Sequence, residues 1–363
     1  MLSSEYDYEL PEPLIAQVPA ASREDARLLV LHPGRSGNPV IEHRGVRDLP
    51  SMFGPGDVLV INETMVFPAR LRLRKAATGG AIEALLVREV SAGRWEAMLR
   101  PSGRLKAGME FVPAQERGSA GEPGSAPVMR LEGGGGPGGW SLVELEPGVA
   151  ARLMEEAGEM PLPPYIDRPP GDAGKAALDR ERYQTVYARV GGSIAAPTAG
   201  LHFTPALMAG VEARGAAIAR VVLHIGPGTF RLIRAEDADS HVMDPERFEM
   251  TREAAEAVAG ARAAGRRVIP VGTSCVRVLE TVGARLMAGE RGPFSGEAGL
   301  FIQPGHAFVF GDGMLTNFHL PRSAPYAMTA AMAGLDNLRA AYRAAIEARY
   351  RFLSYGDAML ILR

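Results

Sequence analysis

Arg70-Leu71-Arg72-Leu73-Arg74 alternates charge and leucine at every step. Successive side chains of a β-strand face opposite ways, so this pattern predicts a strand with one buried and one wet face. Short apolar runs follow at 81–90, 95–99, 109–112, 128–131 and 140–145, parted by glycine, proline or serine. No helical period lies between them. The spacing predicts a small antiparallel β-barrel or sandwich over residues 66–152. Residues 115–127 and 133–139 inside it are glycine-rich and of low complexity, so they are expected to be mobile loops.

Outward from this stretch the pattern changes. Thr204-Pro205 reads as an N-cap followed by proline at the first helical position, with Gly215 closing the helix. The run 217–225 is apolar on both alternating faces apart from Arg220 and His224, as an interior strand would be. Thr251 is placed to cap a helix running to Gly265, and 268–271 reads as another buried strand. After Gly272-Thr273-Ser274, Cys275, Leu279, Val282 and Leu286 recur at helical spacing. Leu335, Leu338, Tyr342 and Ile346 mark a late helix, 358–362 a terminal strand and 56–62 an early one. The expected fold class is therefore α/β, with residues 1–65 and 153–363 forming a core into which the small antiparallel β-barrel at 66–152 is inserted.

Composition excludes several function classes. At about 150 residues per domain, 363 residues suggest two domains. No window reaches the roughly 18 apolar residues of a membrane helix. The start, Met1-Leu2-Ser3-Ser4-Glu5, shows no secretory pattern, so a cytoplasmic, non-membrane protein is expected. The lone Cys275 forms no internal disulfide or multi-thiolate centre, and the seven histidines contain no i, i+4 pair of the kind a helical zinc site uses. No metal is expected. No Gly-x-Gly-x-x-Gly follows a strand and opens a helix, and no Walker-type lysine loop occurs.

A net charge of −2 does not describe a whole-surface polyanion binder. Residues 66–106, however, hold nine basic side chains, among them Arg70, Arg72, Arg74 and Arg100, against three glutamates. Two readings fit: the solvated outer face of a sheet, or a patch that tracks phosphates of a nucleic acid.

Active sites of α/β proteins gather where strands end and helices begin. Three junctions qualify: Ala196-Pro197-Thr198-Ala199-Gly200-Leu201-His202-Phe203, His224-Ile225-Gly226-Pro227-Gly228-Thr229-Phe230, and Gly272-Thr273-Ser274-Cys275-Val276-Arg277. A helix start flanked by Ser, Thr and Arg suits a carboxylate or phosphate. Each junction also has a plain structural reading, as a cap, a packed turn or a hydrogen-bonded core histidine.

At these same junctions the sequence resembles the S-adenosylmethionine:tRNA ribosyltransferase-isomerase family of queuosine biosynthesis. The blocks run in order through Tyr8-Glu9-Leu10-Pro11-Glu12-Pro13-Leu14, Pro68-Ala69-Arg70-Leu71, Met160-Pro161-Leu162-Pro163-Pro164-Tyr165 and Tyr183-Gln184-Thr185-Val186-Tyr187. They continue with Ala195-Ala196-Pro197-Thr198-Ala199-Gly200-Leu201-His202-Phe203, Thr316-Asn317-Phe318-His319-Leu320-Pro321 and Tyr350-Arg351-Phe352-Leu353-Ser354-Tyr355-Gly356-Asp357. The chain departs from the family pattern at Glu63, Met65, Asp244 and Gln303.

The resemblance implies an α/β core with an inserted β-barrel and a specific reaction. S-adenosylmethionine is consumed as a substrate rather than retained as a cofactor. Its ribosyl part is transferred to the aminomethyl-deazaguanine (prequeuosine) at the wobble position of tRNA and isomerised, giving epoxyqueuosine-tRNA, adenine and methionine. A sulfonium acidifies the neighbouring carbon, and proton transfer near neutral pH suits histidine. His202 and His319 are thus expected beside the ribose, with His224 and Thr229 close by. Thr198 and Asn317 would hold hydroxyls or the adenine edge, with Gly200, Gly226 and Gly228 shaping the turns. Thr273, Ser274 and Arg277 would receive the methionine carboxylate, while Arg70, Arg72, Arg74 and Arg100 would meet tRNA. The competing readings are an S-adenosylmethionine-dependent tRNA methyltransferase and a non-catalytic RNA-binding relative.

Overall fold

The computed structural model describes residues 2–101, 103–114, 126–134, 140–169, 172–230, 232–233 and 236–363, without the side chains of Ser36, Thr229 and Phe230. Most of the glycine-rich segments expected to be loops at 115–127 and 133–139 lies outside the described residues, but Gly133 and Gly134 belong to a strand, Met129–Gly134.

The alternating stretch forms the strand Arg70–Lys75, with Leu71 and Leu73 buried and the arginines turned outward. It pairs with Ala81–Ser91 on one side and Glu110–Pro113 on the other. Arg94–Pro101, Met129–Gly134 and Ser141–Glu144 complete a closed antiparallel barrel of six strands. Closure removes the free edges that an open sheet of this size would expose. Leu71, Leu73, Ile82, Leu86, Phe111 and Val143 fill the interior, each stabilising it by roughly 1.5–3 kcal/mol. Ala150, Leu153 and Met154 of the helix Val149–Ala157 join the same cluster.

The core has two sheets. One runs in the order Val268–Pro270, Val58–Asn62, Ala217–Leu223, Glu246–Met250 and Phe294–Ala298; the first three are parallel and the last two antiparallel. The other runs Gly313–Asn317, Ala358–Leu362, Arg27–His32 and Val40–Gly45. A parallel bridge between Val271 and Leu315 joins the two sheets, so the carboxyl ends of their facing strands lie side by side. The short parallel pair Thr64–Val66 and Val190–Ser193 leads toward the barrel.

The expected helix caps form as hydrogen bonds. Thr204 Oγ1 accepts from Leu207 N–H at 3.1 Å above the helix Pro205–Ala213, and Thr251 Oγ1 from Ala254 N–H at 3.2 Å above Arg252–Ala263. The helix Gly272–Met287 buries Cys275, Leu279, Val282 and Leu286, as their spacing requires. Among the described residues no helix is long and apolar enough to cross a membrane.

Candidate active site

Four strands of the core deliver their carboxyl ends to one region. Asn62 closes the strand Val58–Asn62 and Asn317 closes Gly313–Asn317. Gly272 follows the strand Val268–Pro270, and Ile225 follows Ala217–Leu223. An inner cavity opens there, lined by residues from all three of the strand–helix and turn segments that meet at this edge.

The first wall is the run Ala195-Ala196-Pro197 entering a single 3-10 turn, Thr198–His202. Gly200 N–H donates to Pro197 O at 2.8 Å and closes the turn. A Cβ at Gly200 would sit 2.1 Å from the Tyr187 hydroxyl, so only glycine fits beneath Thr198.

The second wall is the amino end of the helix Gly272–Met287. Its N-cap residue, Val271, has no side chain able to accept the first amides, and no cap hydrogen bond forms. The Ser274 hydroxyl is engaged from below by Asn62 Nδ2 at 3.2 Å, while Asn62 Oδ1 accepts from Thr64 N–H and Leu223 N–H. The amino terminus therefore presents amides and positive dipole to the cavity.

The third wall carries Asn317 and His319. Asn317 is 2% exposed, and its Nδ2 donates to Leu353 O at 3.1 Å. Among the described residues its Oδ1 is buried without any hydrogen-bond partner. Leaving a buried acceptor unmet costs about 1–3 kcal/mol, and that cost vanishes if a ligand supplies the donor. His319 Nε2 lies 2.7 Å from Thr316 Oγ1, and its backbone N–H donates to the Tyr342 hydroxyl at 2.9 Å. Burial pushes the imidazole down to about 3, so the ring is neutral throughout the physiological range. Tyr165 and Ser354, 2.6 Å apart through their hydroxyls, close the far side. Burial raises the Tyr165 phenol to about 12, so it remains a neutral hydroxyl. Among the described residues the lining contains no Asp, Glu, Lys or Arg.

Thr198, Thr273, Ser274, Asn317 and His319 thus share one cavity. The other candidates lie elsewhere. His202 is buried with its ring nitrogens 3.1 and 3.0 Å from the carbonyls of Ala199 and Gly356, and it faces a smaller pocket beside Arg23 and Tyr355. Desolvation lowers its pKa, against the expectation of a group titrating near neutrality. Arg277 points away from the helix start into a buried ion pair with Glu246, and also donates to Ala298 O. His224 and Gly226 line a second opening, a barrel–core cleft of about 1140 Å³. Ile225 is a wall of both spaces. Gly228 packs against Asp244, and the Thr229 side chain lies outside the described residues.

The barrel arginines are largely matched by carboxylates. Arg72 makes bidentate contacts of 2.6 and 2.9 Å with Glu159, and Arg70 donates to Leu162 O at 2.8 Å with Glu83 at 3.9 Å. Arg88 pairs with Glu96 and Arg94 with Glu132. Glu159 and Glu132 lie outside the 66–106 window, which is why the window's charge overstates the local field. Arg74 and Arg100 remain solvent-facing, Arg100 at 3.7 Å from Glu83.

Sequence reasoning did not single out Ser354 or Trp140, which line the cavity and the cleft respectively. Neither sits at a strand–helix junction. Ser354 and Tyr165 do fall inside blocks of the family resemblance, and that was the available signal.

Comparison with known proteins gives one answer over the whole chain. The family model described as queuosine biosynthesis protein matches residues 3–361. A relative from Thermus thermophilus named S-adenosylmethionine:tRNA ribosyltransferase-isomerase is 46% identical over 361 residues, covering 98% of each chain. One of the same name from Pelotomaculum thermopropionicum is 45% identical over 359 residues, covering 99% of each. The crystal structure of S-adenosylmethionine tRNA ribosyltransferase from Thermotoga maritima superposes with a TM-score of 0.51 at 34% identity, covering 99% of this chain and 100% of that one.

Proposed function

The chain belongs to the S-adenosylmethionine:tRNA ribosyltransferase-isomerase family of queuosine biosynthesis, and we propose that the inner cavity is where it consumes S-adenosylmethionine. The observation that carries this assignment is that Asn317, whose Oδ1 is buried without a hydrogen-bond partner among the described residues, lines the same cavity as an uncapped helix start. The oxygen accepts from the adenine amino group or a ribose hydroxyl, and Thr198 supports the same moiety. The amides at Gly272, Thr273 and Ser274 take the methionine carboxylate without a side-chain cation.

The uncharged lining has a chemical consequence. Desolvation disfavours a cation relative to a neutral form, so it favours loss of a proton from the carbon attached to the sulfonium. His319 is the ring nearest this chemistry, and among the described residues its Nδ1 has no hydrogen-bond partner to displace. His202 and Arg277 act as positioning residues. The first ties the Thr198 turn to Gly356; the second ties the Gly272 helix to Glu246.

In this reading the chain transfers and isomerises the ribosyl group onto an aminomethyl-deazaguanine in tRNA, in the cytoplasm, releasing adenine and methionine. Segments 1–65 and 153–363 supply the cavity, and the inserted unit 66–152 supplies one wall of the adjoining cleft. Arg74 and Arg100 are among the solvent-facing cations available to tRNA phosphates. Incubation with labelled S-adenosylmethionine and the precursor tRNA tests the assignment. Free adenine and methionine are expected; S-adenosylhomocysteine would mean methyl transfer and overturn it.

A further inference from the structure

The barrel–core cleft has a composition that the inner cavity lacks. The barrel contributes Trp140 and the Arg88–Glu96 ion pair, and the core contributes His224, Pro227 and Ile194. The cleft adjoins the inner cavity across Ile225. An aromatic ring lining one cleft with apolar side chains and charged groups suits a planar base removed from its stack.

His224 is held in one orientation. Its Nδ1 lies 3.0 Å from Thr64 Oγ1, and that hydroxyl is within 3.5 Å of Val190 O. With the hydroxyl donating to the carbonyl, it accepts from Nδ1–H, and the lone pair falls on Nε2. The ring lies flat against Gly192, where a Cβ would come within 2.7 Å of Cε1. Burial, and then the neighbouring Arg247, lower its pKa, while Glu249 opposes them. The other charged groups of the cleft are Arg88, Glu96, Asp244, Glu246 and Glu297. At neutral pH the ring is an uncharged base.

We propose that this cleft receives the amine-bearing nucleobase of the tRNA, extruded from its loop and stacked on Trp140, with His224 Nε2 taking a proton from its ammonium. The inference rests on the reading of the inner cavity given above. An alkylammonium has no lone pair and cannot attack carbon. Breaking one N–H bond leaves the electron pair on the amine nitrogen and makes His224 an imidazolium, which returns its proton to solvent through the open cleft. The freed amine then lies at the boundary of the two spaces beside Ile225, which lines both, next to the nucleoside of the inner cavity. Thr64 and Gly192 are positioning residues for the ring.

The test uses the full chain, S-adenosylmethionine and precursor tRNA, with S-adenosylmethionine binding measured by calorimetry as the control for folding. Trp140→Ala should raise KM for tRNA by roughly 5- to 150-fold, the range of a lost base stack. It should leave S-adenosylmethionine affinity within about twofold, and Trp140→Phe should restore KM. His224→Gln should lower kcat with little change in either affinity. Its activity should recover as pH rises and the amine deprotonates unaided, moving the acid limb of the rate profile upward. Wild-type KM for tRNA in Trp140→Ala, or an unshifted acid limb in His224→Gln, would overturn the proposal while adenine release by the wild type upholds the cavity assignment. A wild-type protein that releases no adenine would overturn both.

Discussion

The inner cavity and the barrel–core cleft share Ile225 and differ in nearly everything else. Among the described residues the cavity is lined by uncharged groups alone, with a buried imidazole, partnered hydroxyls and one unmet carboxamide oxygen. The cleft carries Arg88, Glu96, Asp244, Glu246, Arg247 and Glu297. In the proposed reading, they divide a reaction between a small sulfonium nucleoside and a polyanion. Carbon deprotonation gains from a dry, uncharged enclosure, whereas an RNA loop needs an open mouth and charge that can exchange with solvent.

The division can be broken by disturbing one side and reading the other. The largest effect is expected from Arg277→Ala. Removing one partner of its buried ion pair with Glu246 costs about 3–5 kcal/mol, measured by urea unfolding. Affinity for S-adenosylmethionine, measured below the transition, should fall only modestly, because Arg277 positions the Gly272 helix but is not itself on the cavity wall. A selective loss of affinity without loss of stability would return Arg277 to the binding site. Next comes Asn317→Leu, which should weaken S-adenosylmethionine binding by about 1–3 kcal/mol while KM for tRNA stays unchanged.

Acid titration sharpens the contrast further. His319 is held at about 3 in the folded chain and returns to its ordinary 6.5 on unfolding. The unfolded chain thus binds the extra proton first, and stability falls as pH drops from about 6.5 toward 3, by at most about 1.4 kcal/mol per pH unit. Above 6.5 the group contributes no pH dependence. Unfolding curves of His319→Asn at pH 7, 6, 5 and 4 should show a flatter acid limb than the wild type; an identical limb would contradict the burial described. The smallest effect concerns salt. Replacing Arg74 and Arg100 by alanine should flatten the salt dependence of tRNA binding by roughly one unit of slope for each phosphate no longer neutralised. Arg72→Ala should leave the slope alone, because Glu159 already holds that guanidinium.

The legibility of these regions in sequence also differs, for a physical reason. Thr204, Thr251 and the 70–75 alternation report local geometry, since a cap or a pleat is settled within a few residues, and each appears where expected. The direction of a long side chain is not local. Arg277 sits in a helix start suited to anions, yet its partner Glu246 lies 31 residues away on a neighbouring strand. His202 turns to Gly356, 154 residues away. Trp140 and His224 come together only because the barrel docks on the core. The strand–helix junctions therefore mark the neighbourhood of the inner cavity, while which side chains line it depends on long-range packing.

The most direct measurement is a crystal structure with S-adenosylmethionine bound. The adenosine should lie between Thr198 and Asn317, with its carboxylate on the amides of residues 272–274. A nucleoside seated instead against Trp140 and His224 would contradict the division of labour between cavity and cleft.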